Sequence, residues 1–290
     1  MKLPPFEYAS PGTLQEATAL LAKHNGEARP IAGGQSLLPL MAFRLAAPSL
    51  LVDLTRIPGL DRIEIREDGV HVGALTRWCQ IESDERLIGA HPLLREAVKH
   101  IAHYQIRNRG TIGGSLAHAD PAAEMPALTI TCEAEISIAG PNANRVLAAK
   151  DFITGALETA LAPGEIVTSI RFPKWQPHRL WAFQEFAKRR GDFALGGVAL
   201  HFNEDAQGNA SQVHIGVFGT GEMPGRLSEA EAFVRGKKVD ARLAQAAGNI
   251  ARDAVRVAGD MHASAEYRQA LIGTLLERAL VEAAGRAAKE

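Results

Sequence analysis

The chain has 290 residues, long enough for two domains or for one domain with a sizeable addition. With 46% hydrophobic and 22% charged residues it has the makeup of a soluble globular protein, which excludes extended disorder. A formal net charge of -1 excludes an electrostatic footprint for nucleic acid or an anionic membrane surface, so partners must be recognised locally. The only cysteines, Cys79 and Cys132, lack the spacing of a disulfide framework, a zinc site or an iron-sulfur cluster ligated by this chain alone. Met1 to Tyr8 holds no apolar leader-like run, and no later stretch is long enough to span a bilayer. The expectation is a reduced, cytoplasmic protein without membrane insertion.

In chain order, Ser10-Pro11-Gly12 is a turn, and Thr13-Leu14-Gln15-Glu16 has the form of a capping box. It opens a helix with Leu14, Ala17, Leu20 and Leu21 on one face, ending near Asn25-Gly26. Arg29-Pro30-Ile31-Ala32 is too short for a helix and predicts a strand running straight into Ala32-Gly33-Gly34-Gln35-Ser36. Leu37 to Leu45 is helix-compatible despite Pro39, and Leu50 to Leu54 predicts a second buried strand. Strand, loop, helix, strand is a small βαβ unit, and its first loop sits at the carboxyl end of a strand, where open α/β sheets bind ligands.

From Arg62 the pattern alternates. Ile63, Ile65, Val70 and Val72 flank Asp68-Gly69, a hairpin signal, and Gly73-Ala74-Leu75-Thr76 carries the second strand into a turn. A helix is predicted over His91 to Ala102, with Pro92 in its first turn and Leu94, Ala97, Val98 and Ile101 facing inward. Gln105 to Gly110 then leads to a second glycine pair, Thr111-Ile112-Gly113-Gly114-Ser115. Further strands are predicted around Ala134 to Ile138 and Ile166 to Phe172. Pro173, Trp175 and Pro177 mark a boundary between residues 1–175 and 176–290, since the two prolines interrupt both ladder and helix. Beyond it come three strand-like runs, near Leu180 to Ala187, Phe193 to Phe202 and Val213 to Phe218. Two alanine-rich helices follow, near Ala241 to Ala258 and Ala263 to Ala284.

The two Gly-Gly pairs, each followed closely by serine, suit a shared anion. Neither motif carries lysine, which favours a diphosphate held by backbone N–H groups and by the hydroxyls of Ser36, Thr111 and Ser115. Glycine would allow close approach and positive φ. Neither the G-x-G-x-x-G fingerprint nor the P-loop signature is present, and spacing alone leaves two structural turns as an equal alternative. His118, Asp120 and Glu124 lack a second histidine at ligand spacing, which argues against a metal centre. Asp120 and Glu124 are better suited to accept hydrogen bonds from cofactor hydroxyls, with loop capping as the alternative. Lys188 to Asp192 and Gly219-Thr220-Gly221 read as turns. No Ser/His/Asp or Cys/His arrangement stands out, so no catalytic acid, base or nucleophile is assigned.

The segments Ala32 to Pro39 and Thr111 to Pro121, the latter led by Arg107-Asn108-Arg109-Gly110, resemble the FAD-binding medium subunits of molybdenum hydroxylases, of the carbon monoxide dehydrogenase and xanthine dehydrogenase type. Gly73 to Thr76, Pro163 to Ile166 and Arg189 to Ala194 match in the family's order, so the resemblance covers nearly the whole chain. It implies an α+β fold. A two-subdomain FAD-binding domain of the PCMH or vanillyl-alcohol-oxidase-like kind would be followed by a three-stranded antiparallel sheet with a helical bundle.

The resemblance also implies FAD contacts from Ala32, Gly33, Gly34, Gln35, Ser36 and Leu37 and from Thr111, Ile112, Gly113, Gly114 and Ser115. The acidic positions are Asp120 and Glu124, with Thr76, Ile101 and Leu161 nearby. Phe193 stands beside the flavin where many relatives have tyrosine, so ring packing is kept and a hydroxyl lost. The implied partners are a large molybdopterin-binding subunit that oxidises substrate with water, a small iron-sulfur subunit and an external electron acceptor. The molybdopterin cofactor and the clusters belong to those partners, and this chain's FAD passes electrons on. Two alternatives stay open: a self-contained flavin oxidoreductase acting on a small organic substrate, and a structural subunit that keeps the fold without the flavin.

Overall fold

The computed structural model describes residues 2–287, so the outermost ends of the 1–175 and 176–290 divisions lie outside the described residues. The first layer is a parallel three-stranded sheet of β1 (Glu7–Ala9), β2 (Ala28–Ile31) and β3 (Leu50–Asp53), in the order β1-β3-β2. Between β1 and β2 runs α1 (Leu14–Lys23), whose Thr13 hydroxyl accepts from the Glu16 amide at 3.2 Å. The Glu16 carboxylate reaches back one residue further than a capping box requires, to the Gly12 amide at 2.9 Å. Between β2 and β3 lies α2 (Leu37–Ala42), which stops three residues short of the predicted Leu45. The expected βαβ unit is therefore present, closed by a small core of Ala17, Leu21, Ala28, Leu50 and Val52.

The second layer is an antiparallel sheet. Its strands are β4 (Ile63–Arg66), β5 (Gly69–Gly73), β6 (Glu135–Ala139), β7 (Asn144–Ala148) and β10 (Ile166–Pro173), in the order β4-β5-β10-β6-β7. A small hairpin of β8 (Ile153–Gly155) and β9 (Glu158–Thr159) precedes β10. The alternation read from the sequence fixes which face is buried: Val70, Val72, Ile136, Ile138, Ile170 and Phe172 lie in one core. Full burial of each such side chain contributes about 1.5–3 kcal/mol.

The chain between β5 and β6 folds into short helices over that face: α3 (Trp78–Ser83), α4 (Leu87–Ala90), α5 (Pro92–Val98), α6 (Tyr104–Arg107), α7 (Ile112–His118) and α8 (Glu124–Thr131). A further turn, α9 (Ala149–Phe152), joins β7 to β8. The helix predicted over His91 to Ala102 is shorter than expected. His91 is its N-cap, with Nδ1 accepting from the Leu94 amide at 3.1 Å, and the helix ends at Val98, leaving Ile101 beyond it.

The third layer holds β11 (Leu180–Phe186), β12 (Gly196–Glu204) and β13 (Ala210–Phe218), antiparallel as expected. A two-residue fourth strand, β14 (Gly225–Arg226), pairs on the outer edge of β13 and was not anticipated. One face of this sheet, with Val198, Leu200 and Phe202, packs on α10 (Ser228–Val234), α11 (Ala241–Ala254) and α12 (Ala265–Ala287). The other face, with Phe183, Ala199 and Phe218, joins the core of the second layer. There Trp175 lies between His91, at 4.7 Å between ring centroids, and His201, at 5.5 Å. His201 and His214 both donate to the Thr131 carbonyl of α8, at 3.2 and 3.0 Å.

Candidate functional site

The first glycine motif meets the segment that leads into the second, but the two are built differently. The first is an irregular turn between β2 and α2. Gly34 has φ of +73°, a left-handed conformation that favours glycine. A β-carbon on Gly33 would fall 2.1 Å from the Arg109 carbonyl oxygen and 3.0 Å from the Gly110 α-carbon, so Gly33 is what lets this turn lie against the segment leading into the second motif. Among the described residues, none of the N–H groups of Gly33, Gly34, Gln35 and Ser36 has a protein acceptor. The Gln35 side chain bonds back to the Gly33 carbonyl at 3.1 Å, and the Ser36 hydroxyl does not cap α2. Ala32 and Leu37, which flank this run, are half-buried like it.

The second motif is the first turn of α7, not a loop. Thr111 is its N-cap and accepts from the Gly114 amide at 3.2 Å. The Ile112 amide donates to the Thr76 carbonyl at 3.1 Å, Gly113 to Ala74 at 2.9 Å and Ser115 to Thr111 at 3.1 Å. Its N–H groups are thus spent anchoring the helix to the exit of β5, and the expectation that both motifs offer free N–H groups holds only for the first. Gly113 is required by packing, since a β-carbon there would lie 2.5 Å from that of Ala74. Gly114 is different: it is exposed, and a β-carbon would meet only the Thr111 hydroxyl, at 2.9 Å. The bare face at Gly114 and the Ser115 hydroxyl are what this motif leaves available.

The remaining sequence-predicted positions fall into two groups. Thr76 is fully buried and acts through its carbonyl, as the anchor of α7, with its hydroxyl 3.4 Å from the Arg62 carbonyl. Ile101 and Leu161 belong to the main core and its margin. Asp120 and Glu124 follow the C-terminal end of α7, and Phe193 precedes Ala194, whose carbonyl lies against Gly219. Asp120 accepts from the Ala122 amide at 2.9 Å and stands 4.0 Å from His118. Phe193 is 69% exposed, on a turn whose Gly191 packs on the Ala102 carbonyl, 2.8 Å from where a β-carbon would be. The Ala119 carbonyl accepts from Leu157, which brings the β8–β9 hairpin and the approach to Leu161 to the same end of the helix.

Glu124 opens α8 and is 8% exposed; burial, with the nearby Asp120 charge, holds its carboxyl above the usual range. Glu185 on β11 is pushed in the same direction by burial and by Glu124, and its Oε2 is buried with no hydrogen-bond partner. Sequence reasoning missed Glu185, because only the docking of the third layer brings β11 to α8. It also missed Arg107, which donates to the Ile101 and Ala102 carbonyls at 3.0 and 3.1 Å and to Glu82 at 2.9 Å. Asp53, at the end of β3 beside the first motif, accepts from the Tyr8 hydroxyl. Burial raises its carboxyl, but the bonds from Tyr8 and Thr55 and the Arg109 charge outweigh that and hold it below its ordinary value. Cys79 and Cys132 are both free, and burial pushes the Cys132 thiol up to about 12. Among the described residues no cluster of His, Cys, Asp or Glu is placed to hold a metal, and no helix is long and apolar enough to cross a membrane.

Residues 4–175 match the family described as the FAD binding domain in molybdopterin dehydrogenase, and residues 181–283 match the CO dehydrogenase flavoprotein C-terminal domain. The chain is 38% identical to the 6-hydroxypseudooxynicotine dehydrogenase complex subunit alpha of Paenarthrobacter nicotinovorans, over 99% of this chain and 97% of that one. It is also 38% identical to the nicotine 6-hydroxylase medium subunit of the same organism, over 99% and 100%. Among solved structures it is similar to carbon monoxide dehydrogenase from Hydrogenophaga pseudoflava, with a TM-score of 0.95, 37% identity and 99% of each chain covered. Fold and matches together define the class, an FAD-binding component of an oxidoreductase. The chain belongs to the family of FAD-binding medium subunits of molybdopterin dehydrogenases.

Proposed function

We propose that this chain is the FAD subunit of a heteromeric molybdenum hydroxylase, with residues 1–175 as its FAD-binding domain and residues 176–290 as its C-terminal domain. The observation that carries the site assignment is the run of four unpartnered N–H groups at Gly33–Ser36, on a turn packed against the Arg109–Gly110 segment that leads into α7 and Gly114. Oriented amides of this kind favour an anion without any lysine, as the FAD diphosphate requires. In this arrangement Gly33–Ser36 hold the diphosphate, while the Ser36 and Ser115 hydroxyls donate to it. Ala32, Leu37 and Ile112 shape the walls, and Thr76, Thr111 and Gly113 fix α7 in place. Asp120 and Glu124 accept from cofactor hydroxyls, and Ile101, Leu161 and Phe193 pack near the ring. Bound FAD supplies the chemistry that takes up electrons and hands them on; the protein orients it and needs no catalytic acid or base of its own.

The partners in this proposal are a large molybdopterin-binding subunit and a small subunit carrying iron-sulfur clusters, with an external acceptor as the electrons' destination and the cytoplasm as location. Relatives named for nicotine and 6-hydroxypseudooxynicotine make N-heterocyclic compounds the class of substrate to test on the assembly. Purification of the chain with its large and small subunits tests the proposal. The expected result is FAD released on denaturation and turnover of an N-heterocycle only by the whole assembly. Turnover by the isolated chain would make it a self-contained oxidoreductase, and an assembly without flavin would make it a structural subunit.

A further inference from the structure

Arg268 lies on α12, far in sequence from both glycine motifs, yet its side chain holds two backbone carbonyls, one in the turn after Phe193 and one that leads through a further hydrogen bond to Pro121, just beyond α7. The residue is 3% exposed. One guanidinium nitrogen, Nη1, donates to the Leu195 carbonyl at 2.9 Å and also to the Gly219 carbonyl. The other, Nη2, donates to Asp260 at 2.7 Å, while Nε is buried with no acceptor. Burying a guanidinium is costly unless its charge is matched and its donors are used, so the position is occupied for what it holds.

What it holds are two segments of the site. Leu195 follows Phe193 by two residues, and its own amide donates to the Phe186 carbonyl at 2.8 Å, fixing the end of the turn that carries Phe193. Gly219, at φ of +70°, donates its amide to the Pro121 carbonyl at 2.9 Å. Pro121 belongs to the turn that presents Asp120 and Glu124. Next to Gly219, the Thr220 carbonyl accepts from Ala258 at 2.8 Å, which ties the same corner to the segment leading into α12.

We propose that Arg268 is a positioning residue for the flavin site, a buried clamp that sets the Phe193 turn and the Asp120–Glu124 turn relative to each other. The proposal rests on the site assignment given under Proposed function. Asp260 is the carboxylate that pairs with the guanidinium; the two carbonyl bonds do the positioning. Because these bonds converge on one side chain, a flavin ring held by both turns would depend on α12 although no atom of that helix need touch it.

The test uses the assembled protein, stripped of flavin and titrated with FAD well below its unfolding temperature, together with hydrogen-deuterium exchange. Arg268→Met is expected to weaken FAD binding by about tenfold or more, as befits the loss of two charge-assisted bonds that fix the site, and to speed exchange in residues 119–124 and 189–195. Arg268→Lys keeps the buried charge but has no planar fork, and is expected to bind FAD with an affinity between those of wild type and Arg268→Met, about threefold or more below wild type. Asp260→Asn leaves both carbonyl bonds in place and is expected to stay within about threefold of wild type. A purely structural role would lower the unfolding temperature of Arg268→Met and Arg268→Lys while leaving FAD affinity and the flavin absorption spectrum unchanged, and that result overturns the proposal. Should Arg268→Met fail to fold, unchanged affinity in Arg268→Lys overturns it on its own. If wild type binds no FAD, or Gly114→Val binds it normally, the site assignment fails first. Normal binding lost in Gly114→Val but kept in the Arg268 variants removes the clamp alone.

Discussion

Gly33 lies so close to Arg109 that a β-carbon on it would stand 2.1 Å from the Arg109 carbonyl oxygen. The contact joins the turn after β2 to the segment that leads into α7, although the two glycine motifs are almost eighty residues apart. Backbone cannot yield as a side-chain tip can. Gly33→Ala is therefore expected to lose about 1–3 kcal/mol of stability and, because the turn must move, about tenfold or more in FAD affinity. Urea unfolding and FAD titration check the two effects separately.

Gly114 gives the opposite balance. A methyl group there meets only the Thr111 hydroxyl, and alanine is a better helix former than glycine, so Gly114→Ala is expected to change stability by no more than about 1 kcal/mol. Larger side chains project into the face proposed for the cofactor. Gly114→Val is expected to reduce FAD affinity by about tenfold or more at nearly unchanged unfolding midpoint. Equal FAD binding by wild type and Gly114→Val would remove this face from the site.

The carboxyl of Glu124 is raised by burial and by the Asp120 charge, and that of Glu185 by burial and by Glu124, and the sign of their effect on stability follows. A carboxyl held protonated in the folded chain stabilises it fully below the unfolded value, about 4.3, and loses that contribution as pH rises through the folded value. Glu185→Gln removes the proton from the balance. It is expected to match wild type near pH 4.5 and to exceed it by about 1–3 kcal/mol at pH 8. His91 works in the other direction. Burial lowers its imidazole to about 3, so its contribution is present above about 6.5, the unfolded value, and is lost as pH falls from there toward 3. Unfolding midpoints measured across this range separate the two.

Glu231 is buried in the third layer and accepts from Arg226 at 2.7 and 2.8 Å and from the Ile215 amide at 2.8 Å. Truncation leaves an amide and a half-buried guanidinium with fewer partners. Glu231→Ala is expected to cost about 3 kcal/mol in urea unfolding, with FAD affinity preserved. A loss below about 0.5 kcal/mol would mean that Glu133, the other carboxylate on Arg226 at 3.0 Å, carries the pair alone.

Local patterns made much of the fold legible. The period-two alternation of Val70 and Val72 and of Ile136 and Ile138 set the buried face of the second layer, whereas Ile65 on the edge strand β4 is exposed, and the capping residues of α1 marked its start. Boundaries were less legible where tertiary contacts decide them. The helix beginning at Pro92 ends at Val98, well before the apolar spacing runs out, and the strand at Gly225–Arg226 exists only because β13 offers it an edge. The first glycine motif read correctly as an irregular turn. The second did not, since Thr111, Gly113 and Gly114 look the same in sequence whether their amides are free or bonded to Ala74 and Thr76. Glu185 and Arg268 carry no local signal, and they come near Glu124 and the Pro121 turn only through the docking of the third layer.

The most direct measurement is a crystal structure of the assembly with FAD bound. The expected result places diphosphate oxygens within about 3 Å of two or more of the amide nitrogens of Gly33, Gly34, Gln35 and Ser36, with the cofactor passing over Gly114. A diphosphate held elsewhere, with those four N–H groups turned to solvent, would contradict the assignment of the site.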